Sequence, residues 1–170
     1  MYQPDRTDWK IIALLNQDGR MSSAEISRQL GDVSARTVTN RIDVLIEQGI
    51  INIRSIVNPE MVGYCVLADA FIEVEPGTLR IVADQLAKLP QISYLACATG
   101  DTDIIISIRA SSLEELHNFV IDVVNKISGI RRTQTYLLPE KIKDLDTWLP
   151  PQDFEKEDTK SEDQPNTQGE

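Results

Sequence analysis

Val33-Ser34-Ala35-Arg36-Thr37-Val38-Thr39-Asn40-Arg41-Ile42-Asp43-Val44-Leu45-Ile46-Glu47-Gln48-Gly49-Ile50-Ile51 is the stretch from which the fold can be built. Ser34 can accept from the first free N–H groups of a helix, and Gly49 can end one, so the run between them reads as a single amphipathic helix. Val38, Ile42, Leu45 and Ile46 recur at helical spacing on one face. Arg36, Thr37, Thr39, Asn40 and Arg41 are left free on the rest of the surface. Short hydrogen-bonding side chains interleaved with arginines suit a helix that enters a major groove, where they meet base edges and phosphates. A surface helix with scattered charges fits the same stretch, so its neighbours must decide.

Upstream, Asp8 to Asn16 carries apolar residues at helical spacing and stops at Asp18-Gly19. Asp5 is a plausible N-cap, and Asp8 places negative charge in the first turn, where the helix dipole favours it. Ser22 or Ser23 can cap a short helix over Ala24 to Leu30 that ends at Gly31. Three helices with a short turn between the second and third make a helix-turn-helix, and the third is the one such folds offer to DNA. Ile50 to Val57 then reads as a small β ribbon, the natural place for a wing, with Arg54 available to a phosphate.

Beyond residue 60 the pattern changes. Val66, Ala68, Ala70, Ile72 and Val74 alternate with Leu67, Asp69, Phe71 and Glu73, which is strand periodicity. Leu79, Val82, Ala83 and Leu86 form one helical face, closed by Pro90. A strand over 92–99 turns through Gly100-Asp101-Thr102 into another over 103–109. Ser111 or Ser112 caps a helix with Leu113, Leu116, Val120, Val123 and Ile127, stopped by Gly129, and 130–138 is the last strand. The order βαββαβ predicts a ferredoxin-like sandwich, an antiparallel sheet with both helices on one face, and the fold class is α+β. The uncovered face keeps Leu, Ile, Phe and Tyr residues, which predicts burial against another subunit.

The first sixty residues resemble the N-terminal domain of the leucine-responsive and asparagine-responsive regulators, the Lrp/AsnC family. The matching residues are Asp8, Ile11 to Leu15, Asp18-Gly19-Arg20, Glu25-Ile26 and Ser34 through Ile51, with Asn58-Pro59 after them. A βαββαβ unit directly after such a domain resembles the same family's sensing and oligomerisation domain. Thr99-Gly100-Asp101-Thr102-Asp103 sits where the family has a Gly-Asp-x-Asp turn, and Ser128-Gly129-Ile130 leading to Thr133-Gln134-Thr135 matches the pattern of its last strand. The resemblance spans roughly residues 5–148 and implies three segments. They are a winged helix-turn-helix over 1–60, a ferredoxin-like effector-binding and oligomerisation domain over 61–148, and a disordered acidic tail over 149–170.

What the resemblance implies for chemistry is a regulator that binds double-stranded DNA as a homodimer or a tetramer or octamer, and that responds to a small metabolite, an amino acid foremost. Ser34, Arg36, Thr37, Thr39, Asn40, Arg41 and Arg54 are then the DNA-facing candidates. Thr99, Gly100, Asp101, Asp103, Thr133 and Thr135 are the effector candidates. Asp101 or Asp103 could accept an ammonium group, backbone N–H groups near Gly100 could hold a carboxylate, and Thr133 and Thr135 could add hydroxyls from a neighbouring subunit. Spacing alone reads Gly100-Asp101-Thr102-Asp103 as good hairpin chemistry and nothing more.

The charge distribution limits the reading. The formal net charge is −10, yet residues 1–60 hold seven Lys/Arg against eight Asp/Glu, whereas residues 151–170 hold two against seven. Half the excess therefore sits in the last twenty residues, a polar tail that reads as disordered. Basic residues are sparse in the helix-turn-helix, and Asp43 and Val44 stand where relatives often carry basic ones, so useful affinity requires at least two tethered domains. Cys65 and Cys97 read as ordinary thiols, and the single histidine, His117, excludes a histidine cluster within one chain. No membrane span and no signal peptide are seen, so the expectation is a cytoplasmic protein without cofactor or metal. Gly-x-Ser-x-Gly, His-Glu-x-x-His and Walker-type loops are missing, which argues against hydrolases and nucleotide enzymes. Two alternatives stay open: a small-molecule sensor that does not bind DNA, and an enzyme of the sirohaem decarboxylase type, against which a single His and an acidic sensor domain argue.

Overall fold

The computed structural model describes residues 2–143 and 148–151. The acidic tail expected over 149–170 lies outside the described residues from 152 onward. The described residues divide into two compact units, the first up to Ser55 and the second over Ile56–Ile142.

The first unit is helical. Helix α1 (Arg6–Gln17) begins with a capping box in which the Asp5 side chain accepts from the Asp8 N–H and the Asp8 side chain accepts from the Asp5 N–H. Ser22 caps α2 (Ser23–Leu30), and Gly31 ends it in the left-handed region at φ 79°. Ser34 caps α3 (Ala35–Glu47). Ile11, Ile26 and Val38, one from each helix, form the buried centre, with Leu14, Leu15, Met21, Leu30, Val33 and Ile42 packed round it. Leu45 is buried as its spacing requires, but Ile46 is 44% exposed. The apolar stripe of α3 is therefore narrower than the sequence pattern suggests.

The expected ribbon over 50–57 is not formed: no β-ladder involves these residues. A tight hairpin turn needs residues at positive φ. Between Gly49 and Gly63 the chain has no glycine, and no other residue adopts positive φ. The wing position is held by a segment outside any β-ladder, which contains Arg54.

The second unit is the expected sandwich. Strand β1 (Val66–Val74), α4 (Leu79–Leu86), β2 (Ile92–Cys97), β3 (Ile104–Ala110), α5 (Leu113–Asn118) and β4 (Ile130–Leu137) follow in chain order. The sheet runs β2-β3-β1-β4 with every pair antiparallel. Ala68, Ala70 and Ile72 face Ile108, Ile106 and Ile104 across β1 and β3. The same side chains pack against Val82, Ala83, Leu86, Leu116, Phe119 and Val124, so both helical segments cover one face.

The second helical segment departs from its expected register. After α5, residues Phe119–Val123 make one π turn, with the Val124 N–H donating to the Phe119 carbonyl, and Val124–Lys126 tighten into a 3₁₀ turn. Phe119 and Val124 are consequently buried, whereas Leu113 and Val123, expected inside, are exposed. Residues five apart in a regular helix sit about 140° from each other round the axis. The wider turn brings both onto the sheet.

Among the described residues, no helix covers the other face of the sheet. Register places Leu67, Phe71, Ile105, Tyr94, Ala96 and Tyr136 on it. Phe71 and Tyr136 meet edge to face, with ring centres 5.5 Å apart, and Ser107 donates to Asp69 at 2.7 Å. The same face also carries Asp69, Glu73, Arg109, Arg132 and Gln134, so it is mixed, with an apolar centre at Phe71 and Ile105 and with Tyr94 and Tyr136 about half exposed.

Candidate nucleic-acid interface and effector face

The N-terminal half of α3 is organised by its own cap. Ser34 Oγ accepts from the Thr37 N–H at 3.1 Å and lies 2.9 Å from Thr37 Oγ1. Both hydroxyls are exposed but already paired. Thr39 Oγ1 lies 3.1 Å from the Ala35 carbonyl and 2.9 Å from Ser23 Oγ, which ties α3 to the start of α2. Ser27 Oγ donates to the Val33 carbonyl at 2.6 Å and pins the turn between α2 and α3. The sequence reading missed Ser27, because a serine inside a short helix carries no local sign that it reaches the following turn.

Arg36 and Asn40 stand differently. Both are exposed, and their i, i+4 spacing puts them one turn apart on the face opposite Val38 and Leu45. The stripe continues into the exposed Asp43 and Glu47. The basic member of the stripe, Arg36, thus sits in the first turn, where the helix dipole is also positive, and the acidic members sit in its last two turns. The arrangement suits entry by the N-terminal end of the helix.

Arg41 is not free, contrary to the expectation. Its Nη1 donates to Asp5 Oδ2 and to Asp8 Oδ1, each at 2.8 Å. Asp8 has no exposed surface, and its other oxygen accepts from the Tyr2 hydroxyl at 2.7 Å and the Asp5 N–H at 2.9 Å. Hydrogen bonds from Arg41 to Asp8 and Asp5 raise the guanidinium pKa further above its ordinary value, against a smaller opposing effect of burial. Burial pushes the Asp5 carboxyl up, but bonds from the Asp8 N–H and Arg41 outweigh it and hold the group below its ordinary 3.8. The partners are more than thirty residues apart in sequence, so no spacing rule could have paired them.

In the second unit the hairpin residues have mixed fates. Gly100 adopts φ 140°. Asp101 is exposed. Asp103 is engaged by β1: its N–H donates to the Ile72 carbonyl at 3.0 Å and its carboxylate accepts from the Val74 N–H at 2.8 Å. Thr102 Oγ1 also donates to the Ile72 carbonyl, at 3.0 Å, a role the sequence reading did not assign. Thr99 is exposed beside the turn.

Thr133 and Thr135 pair with Ile72 and Ala70 on the opposite flank of β1. The hairpin and Thr133 thus bracket Ile72 from two sides within one chain. Thr133 Oγ1 is buried without a hydrogen-bond partner among the described residues. A shallow depression elsewhere is lined by Gln91, Ser112, Glu114, Glu115, Asn118 and Asp122, none of them an expected effector residue. Among the described residues, no helix is long and apolar enough to cross a membrane.

Known proteins resemble both units, in this order. Residues 4–52 match the model of a winged helix-turn-helix DNA-binding unit, and residues 68–148 match that of the Lrp/AsnC ligand binding domain. An uncharacterised HTH-type transcriptional regulator of Pyrococcus abyssi is 40% identical over 137 residues, covering 80% of this chain and 86% of that protein. The HTH-type transcriptional regulator FL11 of Pyrococcus furiosus is 39% identical over 135 residues, with coverages of 79% and 88%. Of solved structures, AsnC of E. coli superposes with a TM-score of 0.78 at 26% identity, covering 84% of this chain and 97% of that one. A transcriptional regulator of Neisseria meningitidis, solved in complex with L-Met, shares the fold with a TM-score of 0.78 at 23% identity and coverages of 84% and 94%.

Proposed function

Since this chain belongs to the Lrp/AsnC family of DNA-binding transcriptional regulators, we propose that it reads a specific DNA site with α3, as a homodimer or larger homo-oligomer, and that a small metabolite modulates it. The observation that carries the reading is the pair Arg36 and Asn40, exposed one turn apart at the positive end of a helix whose opposite face is buried. Arginine suits guanine edges and asparagine suits adenine edges in a major groove. Ser34, Thr37 and Thr39 line the same end and bring their backbone and hydroxyls close to phosphate, with Arg54 on the segment beyond the helix.

The effector proposal is an amino acid held at the β2–β3 hairpin. Asp101 is exposed and can accept an ammonium group, and backbone N–H groups near Gly100 can meet a carboxylate. Asp103 is better described as the residue that holds the hairpin to β1, because its carboxylate already accepts from Val74. Thr133 has an unused buried hydroxyl beside Ile72, which fits a group delivered from a neighbouring subunit. That the Neisseria relative was solved with L-Met supports an amino acid as the class to try first.

The test is selection of duplexes from a randomised library with the full-length protein, followed by titration of the recovered site with and without a panel of amino acids. Arg36→Ala and Asn40→Ala are expected to weaken the recovered site by about 1–3 kcal/mol each and to change base preference. Recovery of no enriched duplex at low salt would overturn the α3 reading. Affinity and assembly that no amino acid alters would overturn the effector reading alone.

A further inference from the structure

The structure assigns Arg41 a positioning role: it locks the recognition helix to the start of α1 and is not itself a phosphate contact. The assignment rests on the reading of α3 as the recognition helix. One nitrogen of Arg41 bridges two carboxylates of the α1 capping box. Asp8, the inner of the two, is fully buried and is also held by Tyr2 and by the Asp5 N–H. With two carboxylates against one guanidinium, the cluster carries net negative charge, so its attraction for phosphate is cancelled at the source.

The mechanical argument is independent of charge. Helices α1 and α3 also meet through Ile11, Val38 and Ile42, but apolar packing is non-directional and tolerates a small roll or slide. Charge-assisted hydrogen bonds at 2.8 Å are directional and tolerate little. Arg41 follows Asn40 directly in sequence and projects from the flank of the helix toward α1. The bridge therefore fixes the roll of α3, which decides whether Arg36 and Asn40 face base edges together. Asp5, Asp8 and Tyr2 take part in DNA recognition without touching DNA.

The experiment uses the full-length protein, a duplex recovered by selection and a mixed-sequence duplex of equal length, with affinities measured over a series of salt concentrations. Asp5→Asn is the decisive variant. Asparagine caps a helix as well as aspartate does, while the Arg41 bridge loses a carboxylate and the protein loses a negative charge. If the bridge sets the helix, affinity for the selected duplex falls about tenfold, the size of one network coupling, and the mixed-sequence duplex is bound almost as before. If Arg41 instead holds a phosphate, the freed guanidinium binds both duplexes as tightly as before or tighter, and the assignment is overturned.

Arg41→Gln gives the second reading. Under the positioning role it lowers affinity for the selected duplex with the salt dependence unchanged, and a loss of about 0.9 in the log–log salt slope marks a phosphate contact and overturns it. A lowered melting temperature with an unchanged ratio of the two affinities means a purely structural bridge, which also overturns it. If Arg41→Gln does not fold, Asp5→Asn alone decides. Arg36→Ala serves as the control for the underlying reading: if it leaves affinity and salt slope untouched, α3 is not the reader, and the role given to Arg41 falls with it.

Discussion

Asp8 shows how much one residue can carry. It is a fully buried carboxylate whose oxygens accept from a phenol, a backbone N–H and a guanidinium, and a buried charge is tolerated only when it is satisfied in this way. Arg41→Ala leaves that charge without its ion partner. Breaking a buried pair costs about 3–5 kcal/mol, and the partial exposure of Arg41 reduces the expectation to about 2–3 kcal/mol, to be read from denaturant melts. Asp5 adds a pH signature. Its folded-state pKa lies below the ordinary 3.8, so its contribution to stability is complete above that value and is lost as pH falls through the lower folded value. The acid limb of the stability profile below about pH 3.8 is therefore expected to be shallower in Asp5→Asn than in the wild type. A limb of unchanged slope would mean that Asp5 is not paired with Arg41 in solution. From sequence, Asp5 was legible as a cap and Asp8 as a first-turn acid, because both roles are local. Their shared partner was not, because ion pairing across thirty-odd residues depends on how helices pack.

Among the elements, the segment after α5 departs furthest from its periodicity. Val120, Val123 and Ile127 fit a regular helical face in sequence, yet the π turn buries Phe119 and Val124 in place of Val123. Phe119→Ala is accordingly expected to cost about 3–5 kcal/mol. Val123→Ala, at a more exposed site, is expected to cost under about 1 kcal/mol. Equal losses for the two in equilibrium unfolding would restore the regular helix. Gly129 closes the same segment at φ 95°, and a Cβ there would lie 2.8 Å from Thr78 Oγ1. Gly129→Ala combines that clash with an unfavourable backbone conformation, so a loss of about 2–3 kcal/mol is expected in the same melts. The other elements were readable to within a residue or two. Their caps, Asp5, Ser22, Ser34 and Ser112, are side chains that satisfy N–H groups two or three residues away. The ribbon at 50–57 was misread for a related reason: β-branched residues favour strands, but without a partner strand there is no ladder to join.

For the whole molecule, the open face of the sheet and the sparse basic charge point the same way. Leu67, Phe71, Ile105 and Tyr136 form apolar ground among Asp69, Arg109 and Gln134 on a face that no helix covers among the described residues, and a reader with few cations gains affinity by being held in pairs. Burial of this face between two copies meets both needs. Phe71→Asp is expected to shift the sedimentation coefficient toward that of a monomer at micromolar protein. It should also weaken the selected duplex far more than a half-site. A variant that stays assembled would place the contact on another surface.

The sequence by itself determined the helix and strand order, the caps Asp5 and Ser34, and the exposed pair on α3. Each of these follows from interactions a few residues in range or from a periodicity set by one element. Tertiary structure alone decided that Arg41 is bound to the start of α1, that Asp103 holds the hairpin to β1, and that Phe119 displaces Val123 from the core. These outcomes depend on which groups meet when separately formed elements pack, and a buried polar group takes whichever partner that packing supplies.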